Sequence, residues 1–232
     1  MERKVVVICD DLFGLEVYTI LNEINSYVKK NNIEYDTYQI KYFLSDTNNP
    51  FYSLDIPIPV ICGYEKIAIE EETYFIMGIK CPEKKQKTAE YLKKKGAKFL
   101  SVLTPWTIVP DNKKIGEGCV ISNFSFKEGD IFEDFVTMIN VLSSNAHVGR
   151  YSTIDTLSNI TNAEIEECVY IGAHSFLMSN IKIGRNSIIF PGSTVFGDVK
   201  ESSMIAGIPA NKVKYKKITE NSIQSKFYPQ IN

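Results

Sequence analysis

Beyond Thr104 the chain repeats itself every six residues, and that period constrains the fold more than any other feature. Aliphatic side chains recur at Val148, Ile154 and Ile160, then at Ile165, Ile171, Leu177, Ile183, Ile189 and Val195. A six-residue unit supplies one short flat strand and one corner, and three units close a triangular coil of a parallel β-helix. Successive coils would lie about 4.8 Å apart, the spacing of hydrogen-bonded strands. The inward position must then be aliphatic and the one two residues before it small, because the prism is narrow. Coil starts at Ile115, Ile131, Val148, Ile165 and Ile183 are separated by 16, 17, 17 and 18 residues. A regular coil needs about 18. Two coils are therefore expected to lose one residue each at the same corner, between Ser143 and Val148 and between Ile160 and Ile165.

The first hundred residues show other periods. "KVVVICD" is predicted as a buried strand, and "LEVYTILNEINSYV" as a helix with Val17, Ile20, Leu21, Ile24 and Val28 on one apolar face. "YQIKYFLSD" and "TYFIMGIK" are predicted as the second and third strands. A helix comes next, with Pro82 in its first turn and Gly96 at its end, and its "EYLKKKGAK" run reads as a solvated face. "KFLSVL" would be the last strand. This alternation predicts a small open α/β unit with a mostly parallel sheet. The expected organisation is a Rossmann-like α/β domain over 1–103, a β-helix over 104–215 and a tail over 216–232. The tail carries Phe227 and Tyr228, which either fold over a coil end or stay mobile.

Composition removes several function classes. With 26 Lys+Arg against 28 Asp+Glu in 232 residues, there is no strong electrostatic case for nucleic acid. Arg3, Arg150 and Arg185 are the only arginines, so bidentate phosphate or guanine readers are scarce. No stretch reads as a signal peptide or membrane span. Cys9, Cys62, Cys81, Cys119 and Cys168 are scattered, odd in number and without a CxxC, which fits free thiols in a reducing cytoplasm.

An α/β half, hexapeptide coils and the closing "MIAGIPANKV" together resemble the sugar acetyltransferases of the sialic-acid O-acetyltransferase and bacillosamine N-acetyltransferase type. The resemblance covers nearly the whole chain. The hexads and "AGIPA" mark acyl-CoA-dependent hexapeptide transferases as a class, while "FLSD" at Asp46 and "MGIKCP" at Lys80 point to the sugar-acetylating branch. The resemblance implies a left-handed β-helix and a homotrimer. Acetyl-CoA would be the acyl donor, lying in the groove between neighbouring β-helices, with no metal. A nucleotide-linked amino sugar, or a related sugar, would be held by the N-terminal domain, in surface-glycan biosynthesis.

Acetyl transfer from a thioester needs a base for the attacking group, a donor for the oxyanion and a groove for the pantetheine arm. Where relatives carry a histidine followed by an acidic residue, this chain reads "NITNAEIEE", with Thr161 or Asn162 in the histidine's place. A second family histidine corresponds to Tyr170, which could donate a hydrogen bond to a carbonyl oxygen. The chain's own histidines are the remaining candidates. His147 precedes Val148 at an outward position, with Glu164 expected to stack on it one coil later, an arrangement that would orient the ring and make it more basic. His174, in "IGAHSF", falls at a corner. For the cofactor the resemblance implies Ser179, where relatives carry glycine, Gly192, and the "AGIPANK" residues Ala206, Gly207, Pro209 and Lys212. For the sugar nucleotide it implies the turn "CDDLFG", with Asp10, Asp11 and Gly14, together with Asp46, Gly78 and Lys80. Two carboxylates in that turn repel a diphosphate; they suit a sugar's hydroxyls or amine, or cap the adjoining helix.

Three other classes compete with this reading. A redox Rossmann enzyme is disfavoured because no G-x-G-x-x-G follows the first strand. A γ-type carbonic anhydrase needs three histidines on zinc and this chain has 2. A hexapeptide-repeat protein without chemistry, serving as a binding or assembly subunit, is the alternative that the replaced histidine favours.

Overall fold

The computed structural model describes residues 1–213, apart from 47–49, 52–53, 108–113, 124–126 and 128. The expected tail, 216–232, lies outside the described residues, as do Phe227 and Tyr228.

The first hundred residues form a sheet with all strands parallel. Strand β1 (Glu2–Cys9) is followed by helix α1 (Phe13–Asn31), β2 (Thr37–Ser45), β3 (Val60–Cys62), β4 (Thr73–Gly78), α2 (Pro82–Lys94) and β5 (Lys98–Phe99). The strand order is β3-β2-β1-β4-β5. Val5 to Cys9 is fully buried because both sheet faces are covered, as the uninterrupted apolar run of β1 requires. Val5, Val7 and Cys9 pack with α1, while Val6 and Ile8 pack on the side of α2. Helix α1 buries Phe13, Gly14, Val17, Ile20, Leu21, Ile24 and Val28, the predicted stripe, and ends on left-handed Asn32. Pro82 opens α2 as expected, and Lys93, Lys94 and Lys95 are exposed. Strand β3 was not expected; it is a three-residue edge strand beside two prolines.

The predicted final strand, "KFLSVL", is in fact two strands of two sheets. Lys98–Phe99 pairs with β4, whereas Val102–Leu103 pairs with Val120–Ile121 and begins the second sheet. The change of architecture therefore falls between Phe99 and Val102.

From Val102 onward the chain winds as a three-faced parallel coil. The first face stacks Val102–Leu103, Val120–Ser122, Thr137–Ile139, Thr153–Ile154, Tyr170–Ile171, Ile188–Ile189 and Met204–Gly207, with Ala210–Lys212 antiparallel at its edge. The second stacks Lys114–Ile115, Ile131–Phe132, His147–Val148, Glu164–Ile165 and Lys182–Ile183. The third pairs Phe176–Leu177 with Thr194–Val195 and continues through bridges at Asn159 and Leu142. Every aliphatic residue of the predicted series, Val148 to Val195, is buried in the interior. The positions two before them are serine or alanine except at Val169 and Ile181, where the expected small residue is replaced by a buried aliphatic, and the serines are satisfied between coils. Ser152 Oγ donates to the Glu166 carbonyl at 2.9 Å and accepts the Val169 N–H at 3.0 Å, and Ser158 and Ser187 repeat the pattern.

Corners are left-handed residues at Phe135, Asn140, Asn145, Tyr151, Leu157, Asn162, Cys168, His174, Asn180 and Asn186, with φ between 52 and 63°, and at Gly192 with φ 70°. Asparagine recurs there because it tolerates this conformation best after glycine. The steps Asn140 to Asn145 and Leu157 to Asn162 are the two shortened corners that the spacing predicts. One start needs correction. Ile115 pairs with Phe132, and Phe132 with Val148, so Phe132 rather than Ile131 points inward. The coil from Phe132 to Val148 consequently loses 2 residues, the further one between Phe135 and Asn140.

The sheet unit sits against the first face. Phe135, Tyr151 and Cys168 complete the core on the α2 side, and Val102, Val120 and Ile139 that on the α1 side. Between them Lys85 of α2 is fully buried, its Nζ within hydrogen-bonding distance of four acceptors that share its hydrogens, Thr153 Oγ1 at 2.8 Å, Thr137 Oγ1 at 2.9 Å, Phe135 O at 3.1 Å and Ser152 O at 3.2 Å. No carboxylate is among these partners. Burial holds the Lys85 ammonium well below the ordinary lysine range, at about 7.

Candidate functional site

The strand order reverses between β1 and β4, whose following helices lead to opposite sides of the sheet. In open parallel sheets that reversal leaves a crevice at the carboxyl ends of the two strands, where ligands bind. Here the crevice opens against the first face of the prism, and its residues come from four segments: the turn after β1, the end of β2, the end of β4 with the start of α2, and the strands around Asp155 and Tyr170.

Close approach at the crevice floor depends on two glycines. A Cβ on Gly14 would lie 2.3 Å from Cys9 Cβ, and one on Gly78 would lie 2.5 Å from the Ile8 carbonyl oxygen and 3.3 Å from Gly14 Cα. Their absence of side chain lets the first turn of α1 rest directly on β1 and β4. Asp10 and Asp11 then take different tasks. Asp10 is almost buried and fully engaged: Lys84 Nζ stands 3.0 Å from Oδ2, and Ser45 Oγ (3.4 Å), the Asp46 N–H (3.2 Å) and Tyr64 Oη (3.4 Å) donate to Oδ1. Asp46, directly after β2, is thus exposed and tied to Asp10 through its backbone. Asp11 supports the helix start, its Oδ1 accepting the Phe13 N–H at 2.8 Å. Burial pushes the Asp11 carboxyl above the usual carboxylate range, with that hydrogen bond opposing.

Lys80 spans the junction. Its Nζ lies 3.0 Å from Asp155 Oδ1, 3.5 Å from Glu16 Oε2 and 4.8 Å from the centre of the Phe13 ring. Its carbonyl accepts Thr153 Oγ1 at 2.6 Å. Tyr170 Oη donates to Asp155 Oδ2 at 3.1 Å. The structure therefore gathers Asp10, Asp11, Gly14, Asp46, Gly78 and Lys80 with Tyr170, and adds Asp155, Lys84, Glu16 and Tyr64, which the sequence reading missed. Lys84 and Lys85 were hidden in a lysine-rich helix. Lys85 nevertheless shares a stripe with Ala89 and Leu92 at helical spacing, a signal that one lysine faces inward.

The other expected residues lie elsewhere on the prism. His147 is on the second face, half-exposed, and stacks on Glu164 in register as expected; its Nε2, however, meets Glu133 Oε1 of the preceding coil at 3.0 Å. Around it Arg150, Glu164, Glu166, Glu167 and Arg185 line a shallow groove of about 260 Å³. Asn162 is a corner residue whose Oδ1 accepts Asn145 Nδ2 at 3.2 Å, and Ser179 is exposed beside the next corner of that column, Asn180. His174 and Gly192 share another corner column, linked by the Gly192 N–H to the Ala173 carbonyl at 2.8 Å. Ala206, Gly207, Pro209 and Lys212 form the hairpin closing the prism, with Gly207 opposite Ala210 and Lys212 exposed opposite Ile205. Among the described residues no His, Cys, Asp and Glu cluster could hold a metal, and no helix is long and apolar enough to cross a membrane.

No family model matches the sequence. The bifunctional protein GlmU of Anaplasma marginale is 30% identical over 122 residues, 48% of this chain and 27% of that protein. The chain thus spans 27% of the length of that curated relative. Among solved structures, the acetyltransferase domain of PglB from Neisseria gonorrhoeae FA1090 superposes with a TM-score of 0.74 at 20% identity, over 91% of this chain and 100% of that one. That domain has also been solved in complex with acetyl coenzyme A. PerB from Caulobacter crescentus, in complex with CoA and GDP-perosamine, superposes with a TM-score of 0.65 at 14% identity, over 91% of this chain and 97% of that one. From α/β sheet to closing hairpin, the chain shares the fold of the PglB acetyltransferase domain and of PerB.

Proposed function

We propose that the chain is an acetyl-CoA-dependent acetyltransferase acting on an amino or hydroxy group of a nucleotide-linked sugar, in surface-glycan biosynthesis and in the cytoplasm. The observation that carries this reading is the crevice: the carboxyl edge of a parallel sheet, at its strand-order reversal, closed by a β-helix wall with Asp155 and Tyr170 facing it. The Rossmann-like half would hold the nucleotide sugar through Asp46, Gly78, Lys80 and the Asp10–Asp11 turn. PerB, solved with CoA and GDP-perosamine, supports that class of ligand pair.

The coil would be a left-handed β-helix and the assembly a homotrimer. Leu142, Phe176, Met178 and Phe196 leave an exposed apolar strip along the third face, suited to burial against another copy. Acetyl-CoA would lie between neighbouring prisms, along Ser179, Gly192 and the Ala206–Lys212 hairpin, with Lys212 as a point charge for phosphate. Acetyl transfer joins the acceptor nitrogen or oxygen to the thioester carbonyl carbon and releases the thiol. His147, hydrogen-bonded to Glu133, lies on the second face and away from the crevice of its own chain, so it would act as the base for an acceptor held by a neighbouring copy across the seam between prisms.

Calorimetry with acetyl-CoA, followed by thiol release with GDP- and UDP-linked amino sugars, tests the reading. His147→Ala is expected to lower turnover by about 100-fold or more, the scale of a lost general base, while His174→Ala leaves it within about twofold, as for other surface changes. Unchanged turnover in both variants removes histidine from the mechanism. Absence of CoA binding at millimolar concentration replaces the reading with that of an assembly subunit.

A further inference from the structure

The buried amine of Lys85 sits in a site built for two protonation states. The Thr153 hydroxyl hydrogen is committed to the Lys80 carbonyl at 2.6 Å, so Thr153 Oγ1 only accepts from Lys85. The Ser152 carbonyl already accepts the Thr137 N–H at 3.0 Å. The Thr137 hydroxyl meets Lys85 alone among the described residues and is free to turn. An ammonium spreads three hydrogens over this set. A neutral amine has two, which go to Phe135 O and Thr153 Oγ1, and its lone pair takes the reversed Thr137 hydroxyl. Either form is satisfied, and what differs is one full charge. Few groups act on that charge: the Cys119 and Cys168 thiols from the prism, and Cys81 and Lys80 from the approach to α2. Burial raises all three thiols, Cys119 to about 12 and Cys168 to about 11, so they are neutral near pH 7. Lys80 opposes a second ammonium at Lys85, and it is shared in turn by Asp155 at 3.0 Å and Glu16 at 3.5 Å in the crevice. A diphosphate drawn to Lys80 brings negative charge to that point and weakens the opposition.

We propose that Lys85 couples the crevice to pH: it takes up a proton from solvent as a diphosphate-bearing ligand engages Lys80, so that affinity for the ligand falls as pH rises. This rests on the nucleotide-sugar reading above and adds a regulation to it.

The test is calorimetry with GDP-mannose and UDP-glucose, whose sugars carry hydroxyls only and whose diphosphate keeps a constant charge near neutral pH. In two buffers of different ionisation enthalpy at about pH 7, the unchanged protein should take up about 0.3 proton per ligand bound. Its affinity should fall about threefold from about pH 6 to about 8.5, the scale of one charge acting on another through a partly screened interior. Lys85→Met should abolish the uptake and level the affinity. Burial also raises the Asp11 carboxyl, but both proteins share it, and the difference between them cancels its contribution. Thr137→Val removes the donor to the neutral amine and favours the ammonium, so it should move the pH of greatest uptake upward; it serves where Lys85→Met does not fold. Equal uptake in the unchanged protein and Lys85→Met, ligand binding without uptake, or an unmoved profile in Thr137→Val overturns the inference and leaves the transferase reading standing. Binding of no nucleotide sugar by the unchanged protein overturns both.

Discussion

Replacing Ile171 by alanine is expected to cost about 3 kcal/mol of stability, within the range for truncating a fully buried isoleucine. Ile171 is 0% exposed and stacks between Ile154 and Ile189 in the prism interior. The coils above and below are held by their own backbone hydrogen bonds, so the wall cannot collapse into the space left behind. Urea unfolding should show the midpoint displaced with little change in slope. A change at the exposed Phe196, on the third face, serves as the comparison and should leave the unfolding of a single chain nearly untouched. Equal effects at the two positions would mean that residue 171 does not face a packed interior.

The second large effect belongs to Lys85, and its signature is a dependence on pH. The folded chain holds this amine at about 7 and the unfolded chain at its ordinary 10.5. Between those values the unfolded chain binds the extra proton, so stability rises with pH; below the lower value the fold carries a buried ammonium and that stability is lost. From pH 6 to 8.5 the rise attributable to Lys85 is about 2 kcal/mol. Lys85→Met should abolish it. The variant should therefore lose least relative to the unchanged protein at pH 6 and most at pH 8.5. Burial also pushes the Cys9 and Cys119 thiols up, which would lower stability at more alkaline pH. Both proteins share those thiols, and the difference between them cancels that contribution. A constant difference across the range would show that Lys85 titrates as an ordinary lysine.

These two residues illustrate what could be read from the sequence. Ile171 was legible because a six-residue period has few structural solutions, and the same period located both shortened corners. It failed at Ile131 and Phe132, two adjacent apolar residues between which pattern alone does not choose; pairing with Ile115 and Val148 does. The crevice was half legible. Asp10, Asp11, Asp46, Gly78 and Lys80 each lie at the end of a parallel strand, and that position brings them to one edge. Asp155 and Lys85 were not, because their partners lie 75 and 68 residues away in sequence, Lys80 for the first and Thr153 for the second. Such pairings are made by docking the sheet onto one prism face, and no local period records which face is chosen. His147 shows the intermediate case: its stacking on Glu164 was set by coil length, whereas its hydrogen bond to Glu133 depends on side-chain direction.

The most direct measurement is a crystal structure of the protein with CoA and a nucleotide-linked amino sugar. The account predicts the nucleotide sugar along the carboxyl ends of β1 and β4, against the wall that carries Asp155 and Tyr170, and the pantetheine arm running along the outside of the prism. A sugar bound away from that edge, or a crevice that stays closed by the Lys80–Asp155 pair at saturating ligand, would contradict it.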